Sequence, residues 1–191
     1  MNDKKPRKAI SIIKDPDVIR LLADFTRSEI LRLLSERSMT ETQLAKELGL
    51  TKAAIGYHLR QLKDAGLIAL DKVEAEEHGI LRKYYLTTAA FFIVDPDYIP
   101  EDVKRYFLEV QMEHLRGMLS VFKFYNKISE ISSEKLEELA EAMLRQLKTI
   151  GQKHIGENIE NKDVESLIVK IYAEALASLT KQKEWRCIFQ K

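Results

Sequence analysis

Apolar residues between positions 40 and 66 recur at helical spacings in two short groups, which are separated by a glycine. In the second group, Ile55, Leu59 and Leu62 fall within one narrow arc of a helix at about 100° per residue, so this arc should face a core. Gly49 stands where the chain must adopt a positive φ to leave the first helix and turn. The pattern predicts a helix-turn-helix, whose second helix is presented to the major groove of DNA.

Residues that cap helices precede both groups. Thr40 and Gln43, three residues apart, fit a capping box, and Thr51 fits the N-cap of the second helix. Thr26 and Glu29 form a similar pair ahead of an earlier apolar run. The sequence therefore predicts three successive helix starts at these threonines.

The face of the second helix opposite its apolar arc combines very small and very long side chains. Ala53 and Gly56 let the backbone approach base edges closely, while Tyr57 and Arg60 are long enough to reach them. From residue 52 to residue 63 there are three basic residues and no acid, which suits a surface lined by phosphates. The alternative is an ordinary amphipathic helix with a solvated outer face. We interpret Thr51–Ala65 as a DNA recognition helix.

Two runs of β-forming residues, 67–73 and 80–87, follow this helix and flank a polar tip at 74–79. They predict a β-hairpin, the wing of a winged helix. Arg82 and Lys83 lie on its return strand, where they either contact DNA or protect a solvated strand edge. The three glutamates of the tip would repel DNA, so the tip should point away from it. The candidate DNA-binding residues are Thr51, Lys52, Ala53, Gly56, Tyr57, Arg60, Lys63, Arg82 and Lys83.

Pro96 and Pro100 mark a break after the wing. The predicted domains are therefore 1–95, a winged helix-turn-helix domain, and 96–191, a helical dimerisation region. The predicted fold class is mainly α with a small β-hairpin wing. Helical periodicity in the second region predicts three helices, over 101–128, from Ser132 or Ser133 to about 150, and over about 161–183.

Two stripes in the second region have the alternating steps of four and three that characterise a coiled-coil seam. They consist of Leu136, Ala140, Met143, Leu147 and Ile150, and of Val164, Ile168, Ile171 and Ala175. We expect these stripes to pair two copies into a homodimer, although the helix at 15–24 is an alternative pairing surface. A second role also remains open: a bundle that senses an unknown small-molecule effector in a cavity lined by Tyr106, Phe107, Phe122, Phe124 and Tyr125.

Composition excludes several classes of protein. With 191 residues, of which 45% are hydrophobic, the chain can bury a substantial core. A single cysteine precludes an intrachain disulfide framework and suits a reducing cytoplasm. No apolar run approaches the ~20 residues that span a bilayer, so we expect a cytoplasmic protein without a membrane partner. The net charge of +1 means that a local basic patch, and not an overall basic charge, must bind nucleic acid.

Enzymatic motifs are absent from the sequence. There is no glycine-rich phosphate loop, no nucleophile elbow and no useful constellation of carboxylates or of histidine with cysteine. We therefore expect neither an enzyme nor a bound cofactor. The alternative to DNA binding is a winged-helix module that docks onto proteins of the transcription machinery, but the acid-free outer face of the recognition helix favours DNA.

Several stretches resemble the ArsR-type winged helix-turn-helix regulators. Residues 22–34 resemble the opening of that family, 44–51 its first helix-turn-helix helix, 58–67 its recognition helix and exit, and 83–86 its second wing strand. The resemblance extends over roughly residues 15 to 90. It implies a dimeric DNA-binding regulator of transcription, usually a repressor that a signal releases.

The chain departs from the metal-sensing members of that family. Those members carry a Cys-x-Cys pair near the first helix-turn-helix helix, where this chain has 38–42 without a thiol. The single cysteine, Cys187, is interpreted as a small buried hydrophobe. The four histidines show no close pairing, although His114 and His154 can meet if the fold brings them together. Because soft-metal sites need several converging ligands, we expect no metal site.

Overall fold

The computed structural model describes residues 7–75, 81–124, 131–160 and 163–189. Helices dominate and two small sheets accompany them. The helices are α1 (Pro16–Leu22), α2 (Phe25–Glu36), α3 (Glu41–Leu48), α4 (Lys52–Asp64), α5 (Glu101–Phe124), α6 (Ser133–Gln152), α7 (Val164–Thr180) and α8 (Arg186–Phe189). The strands are β1 (Arg7–Ile13), β2 (Met39–Thr40), β3 (Ile68–Ala75), β4 (Leu81–Thr87), β5 (Ala89–Val94) and β6 (Asn158–Ile159). The predicted fold class, mainly α with a hairpin wing, is confirmed.

The chain forms two compact units. The first contains the described residues of 1–11, 20–92 and 155–166, and the second those of 12–19, 93–154 and 167–191. The chain therefore passes between the units more than once. The single boundary at residue 95 remains a prediction about domains.

In the first unit, the helices of the helix-turn-helix enclose a small core. Ile30 and Leu34 of α2, Leu44 of α3, and Ile55 and Leu62 of α4 are fully buried. Ile55 and Leu62, together with the buried Leu59, form the arc that the helical periodicity placed inward, so the apolar arc of the recognition helix is confirmed. The burial removes each large side chain from water, worth about 1.5–3 kcal/mol apiece.

The wing is an antiparallel hairpin of β3 and β4, extended on its other side by the short strand β2. Met39 pairs with Tyr85, and Thr40 pairs with Tyr84. The strand pairing therefore fixes the start of α3 to the wing. Of the predicted tip, residues 74 and 75 belong to β3, and 76–79 lie outside the described residues.

Two of the three predicted helix caps are confirmed. Thr40 Oγ1 accepts a hydrogen bond from the Gln43 backbone N–H at 3.2 Å, and Gln43 Oε1 accepts one from the Thr40 N–H at 2.8 Å. Thr51 Oγ1 accepts from the Ala54 N–H at 3.2 Å. The cap predicted at Thr26 is wrong. Asp24 caps α2 instead, accepting from the Arg27 N–H at 2.9 Å, because the helix begins two residues before the prediction allowed.

The turns that follow α3 and α4 each contain a glycine with a positive φ. Gly49 has φ 65° and ψ 27°, the left-handed conformation expected of a helix C-terminal turn, and Gly66 has φ 70°. An L side chain is disfavoured there even in open space, and nothing lies within 4 Å of a Cβ built on either glycine. The predicted positive φ of Gly49 is confirmed.

The second sheet, of order β5-β1-β6, was absent from the sequence-based prediction. In this sheet the basic residues Arg7 and Lys8 lie in β1 and pair with β6. The Arg7 guanidinium, 6% exposed, donates to Thr87 Oγ1 at 2.7 Å and to the Ser35 carbonyl. Burial lowers the pKa of Arg7. This cation ties the first strand to the helix-turn-helix and is not a solvated charge.

In the second unit, α6 begins after the cap Ser132, as predicted, and packs against α5. The apolar stripe of α6 is buried within the chain: Leu136, Ala140, Met143, Leu147 and Ile150 are at most 7% exposed. In the second predicted stripe, Val164, Ile171 and Ala175 are buried as well. The expectation that these stripes face a second copy is therefore wrong. Both stripes are instead largely buried within a single chain.

The turn between β5 and α5 is held by a buried carboxylate. Asp95, fully buried, accepts from the Asp97 N–H at 3.2 Å and its Oδ1 lies 2.7 Å from Lys148 Nζ of α6. The exposed Asp97 carboxylate lies 2.5 Å from the same Nζ. One lysine thus fastens the start of α5 to α6.

Two further predictions concern α5 and the last helix. Helix α5 ends at Phe124, and 125–130 lie outside the described residues. Phe124 is 82% exposed, so it lines no interior cavity, contrary to the effector-cavity hypothesis.

Helix α7 is shorter than the helix predicted over about 161–183, and the side chain of Cys187 lies outside the described residues. Among the described residues, no helix combines the length and hydropathy needed to cross a membrane.

Candidate nucleic-acid interface

Helix α4 presents the predicted recognition face to solvent. Thr51, Lys52, Ala53, Tyr57, Arg60 and Lys63 are exposed, whereas Gly56 is half-buried. Lys52 lies in the first turn, and Arg60 and Lys63 lie near the end. A continuous exposed strip with cations near both ends can follow a phosphate backbone while the centre meets base edges.

Two open clefts flank this strip. The helix cleft, of about 510 Å³, is lined on α4 by Ala53, Gly56, Tyr57, Leu59, Arg60 and Lys63, and elsewhere by Glu41 and Tyr85. The wing cleft, of about 480 Å³, includes Lys52 of α4, Leu81, Arg82, Lys83 and Tyr85 of β4, and residues 40–43 at the start of α3. The fold therefore brings all the predicted DNA-binding residues except the cap Thr51 to these two clefts, which share Glu41 and Tyr85.

A chain of hydrogen bonds orients Tyr57. Gln61 Nε2 donates to the Tyr57 hydroxyl at 3.1 Å, and Arg27 Nη1 donates to Gln61 Oε1 at 3.2 Å. Arg27 also donates to the Leu21 carbonyl and pairs with Asp24 at 3.6 Å. The Tyr57 ring is 56% exposed, yet its polar end is held from the body of the helix-turn-helix. Such preorganisation reduces the entropy lost when a side chain binds.

The Glu41 carboxylate lies beside the recognition helix at Gly56. A Cβ built on Gly56 would stand 3.1 Å from Glu41 Oε1 and 3.4 Å from its Cδ. The missing side chain at Gly56 therefore makes room for a carboxylate, whereas the sequence suggested that it makes room for DNA backbone or bases. An acidic group thus borders a face whose own helix carries no acid from residue 52 to residue 63.

The wing carries its own charge pairs. Lys72 Nζ lies 2.6 Å from Glu74 Oε1 and 4.5 Å from the centroid of the Tyr84 ring. Arg82 stands directly across from Glu74 in the hairpin register. The hydrogen bond from Lys72, with smaller contributions that include the charge of Arg82, lowers the pKa of Glu74. Arg82 is therefore partly balanced by its own strand partner, whereas Lys83 pairs with Val73.

Three residues of this surface were not among the candidate DNA-binding residues predicted from the sequence: Glu41, Arg27 and Gln61. Their contacts join residues that are 15 to 34 positions apart, so no local spacing marks them. The only local signal was that Gln61 shares a turn with Tyr57, four residues before it.

No group of three or more histidine, cysteine or acidic side chains within the described parts of the chain is arranged to hold a metal ion. His78 lies outside those parts, as does the side chain of Cys187. His114 Nδ1 lies 3.3 Å from the Tyr172 hydroxyl, and burial lowers the pKa of His114. This contact joins two helices of the second unit.

Comparison with known proteins gives a family match over the helix-turn-helix. Residues 24–69 match the model of the bacterial regulatory protein, arsR family. Over 52 residues the chain is 36% identical to the HTH-type transcriptional regulator KmtR of Mycobacterium tuberculosis, an alignment that covers 27% of this chain and 40% of KmtR. The chain thus spans well under half of that relative.

Solved structures that match part of this chain include the transcriptional regulator HlyU of Vibrio vulnificus, 22% identical, with a TM-score of 0.30 over 51% of this chain and 80% of HlyU. The homodimeric winged helix-turn-helix domain of Mb0332 from Mycobacterium bovis is 26% identical, with a TM-score of 0.31 over 51% of this chain and 74% of that fragment. The adhesin competence repressor AdcR of Streptococcus pyogenes is 22% identical, with a TM-score of 0.32 over 64% and 82% of the two chains.

Proposed function

We propose that this chain, in which residues 24–69 form an ArsR-type helix-turn-helix, is a sequence-specific regulator of transcription that binds double-stranded DNA. The observation that carries the proposal is the exposed face of α4, where small residues, a held tyrosine and cations lie between two open clefts. Helix α4 enters the major groove, with Tyr57 and Arg60 toward the base edges and Lys52 and Lys63 toward the phosphates.

The wing supports the same orientation. Arg82 and Lys83 line the wing cleft together with Lys52, so three cations surround one opening beside the recognition helix. A phosphate group of the backbone suits this opening because Lys and Arg side chains supply several charged hydrogen-bond donors. Lys83 is the stronger candidate for a contact, since Glu74 stands across from Arg82.

The regulator acts as a homodimer that pairs through α5. One face of α5 has the heptad spacing of a coiled-coil seam, and from Val110 onward this face is exposed in the single chain. This α5 stripe consists of Val103, Phe107, Val110, His114, Gly117, Val121 and Phe124. Val121 is 57% and Phe124 82% exposed, whereas the α6 stripe is buried. A heptad stripe is complementary to its own copy across a two-fold axis.

Dimerisation explains how a small module obtains useful affinity. A single winged module buries only on the order of 600–1,000 Å² on DNA. Joining two modules makes the second contact effectively intramolecular and raises avidity by ~10²–10⁴. Two-fold symmetry then requires an inverted-repeat site with half-sites about one helical turn, ~34–36 Å, apart. A dimer bound over such a site excludes other proteins from it, which suits a repressor released by a signal.

Selection of bound sequences from a random duplex pool, with the full chain, tests this function. Enrichment of an inverted repeat is expected. On the selected duplex, Arg60→Ala and Tyr57→Ala should each weaken binding by about 5- to 150-fold and relax the preference at one position of each half-site.

Lys52→Ala is the matched comparison, because loss of a phosphate contact should weaken binding to all sequences alike. All three side chains are exposed, so circular dichroism and thermal unfolding should be unchanged. Failure to enrich any sequence, or unaltered binding by both Arg60→Ala and Tyr57→Ala, would contradict the proposed function.

A further inference from the structure

The start of α3 places one carboxylate at the proposed DNA-binding surface, on a backbone that is held in place. Glu41 is the first residue of α3 and directly follows Thr40, whose hydroxyl and N–H both bond to Gln43. Thr40 is also paired with Tyr84 in the wing. The backbone that carries Glu41 is therefore fixed from two sides.

Gly56 leaves the space that the Glu41 side chain occupies. The carboxylate lies where a side chain at position 56 would extend, with Oε1 3.1 Å from an ideal Cβ. Gly56 lies within a regular helix, where glycine costs about 1 kcal/mol relative to alanine. Its backbone has no positive φ that would require glycine. The close approach of Glu41 explains why a glycine, and not a larger residue, occupies position 56.

The carboxylate also has no partner among the described residues. Among the described residues, none donates a hydrogen bond to Glu41 or forms an ion pair with it. It lines both the helix cleft, with Tyr57 and Arg60, and the wing cleft. A carboxylate so placed would be repelled by phosphates and accepts hydrogen bonds only. In the major groove, the complementary groups are the exocyclic amino groups of bases, and the carboxylate–cytosine N4 contact is the characteristic one.

We propose that Glu41 is a specificity determinant of the DNA-binding surface: its carboxylate accepts a hydrogen bond from a cytosine amino group in the major groove, and Gly56 keeps its place open. The inference rests on the DNA-binding function proposed above. The contact is favourable where cytosine meets the carboxylate. At sites without cytosine in this position, an unpaired negative charge faces the groove, so Glu41 also lowers the affinity for those sites.

Parallel selection from a random duplex pool tests this role, using the full-length wild-type protein, Glu41→Gln and Glu47→Gln. Glu47 is an exposed residue of the same helix outside both clefts, and its substitution changes the net charge equally. The wild type should prefer cytosine at one position of each half-site. In Glu41→Gln that preference should fall by about 5- to 150-fold and shift toward adenine, because a carboxamide donates and accepts as adenine requires. Glu47→Gln should keep the wild-type preferences.

The variant Gly56→Ala separates positioning from direct contact. Its methyl group should displace the flexible carboxylate and relax the same position, and it should add no further loss in the Glu41→Gln background. Identical base preferences in the wild type and Glu41→Gln would overturn the role of Glu41. Additive losses would overturn the positioning role of Gly56. A wild-type protein that enriches no sequence would instead contradict the proposed function itself.

Discussion

Tyr57 is held on the exposed face of α4 by a bond from Gln61, and Gln61 is in turn held by Arg27. The three side chains therefore act as a unit, in which Gln61 positions the hydroxyl of Tyr57, the residue that we propose contacts DNA. A tyrosine with one fixed end loses less freedom on binding than a free one.

This arrangement predicts non-additive substitutions. Tyr57→Phe removes only the hydroxyl, and Gln61→Ala removes its partner. Each should weaken binding to the selected duplex by a similar amount, and the double variant should bind about as well as either single one, because both disrupt one interaction. Fluorescence anisotropy with labelled duplex measures this, and Lys46→Ala, an exposed residue of α3 outside both clefts, is the control. Fully additive losses would contradict the positioning role of Gln61.

Lys148 gives the second unit a charge pair whose pH dependence can be measured. The hydrogen bond to Lys148 lowers the pKa of Asp97 below its ordinary value of 3.8. A carboxyl group with a lowered pKa in the folded state stabilises the fold above its unfolded pKa and loses this contribution as pH falls through the folded pKa.

We therefore expect Asp97→Asn to reduce stability slightly near neutral pH and to match the wild type once the pH has fallen through the folded pKa of Asp97. Urea unfolding at a series of pH values measures this difference. Asp95→Ala should cost far more, about 2–4 kcal/mol, since it removes a buried cap and a buried charged hydrogen bond. If the difference in the free energy of unfolding between Asp97→Asn and the wild type grew toward acid pH, the stabilising role of the Asp97–Lys148 pair would be contradicted.

At the scale of the elements, the angle between α3 and α4 depends on one left-handed residue. Gly49 N–H and Leu50 N–H both bond to the Ala45 carbonyl as the chain leaves α3. Because α4 starts only three residues later, the conformation of this turn fixes the direction of the recognition helix.

Gly49→Ala should destabilise the fold by about 1–2 kcal/mol, because alanine is strained at a positive φ although no atom lies near its Cβ. Gly49→Asn is the matched variant and should cost less, since asparagine tolerates the left-handed region better. Thermal and chemical unfolding of both variants tests this order. Equal stabilities of Gly49→Ala and the wild type would mean that the turn adopts another conformation.

At the scale of the whole molecule, the α6 stripe is buried, and we propose that two copies pair through α5 instead. Val121→Lys places a charge in the α5 stripe at a residue that is 57% exposed in the single chain, so the fold should be unaffected. The homodimer should dissociate, and affinity for the inverted repeat should fall by ~10²–10⁴ as avidity is lost.

Val169→Lys is a matched control, because Val169 of α7 is similarly exposed, at 62%, and lies outside the α5 stripe. Sedimentation equilibrium of both variants, with the wild type alongside, decides the interface. A dimer that survives Val121→Lys and dissociates with Val169→Lys would assign pairing to α7, and survival of both would favour a surface such as α1.

The sequence by itself determined those features whose causes lie within a few residues of chain. The Thr40 and Thr51 caps, the turn at Gly49 and the buried arc of α4 follow from hydrogen bonds and periodicity that act over one or two helical turns. A family resemblance over the same segment agreed with them, and it covers the part of the chain where local signals are strongest.

Tertiary structure alone decided which of several similar surfaces meet. The stripes of α5 and α6 have the same heptad spacing, and only the packing of the chain shows that the α6 stripe is buried whereas the α5 stripe is exposed from Val110 onward. Likewise, Arg7 reaches Thr87, 80 residues away, and the space left by Gly56 is filled by Glu41 from another helix. Such contacts depend on how complete elements pack together, and periodicity within one element carries no information about its neighbour.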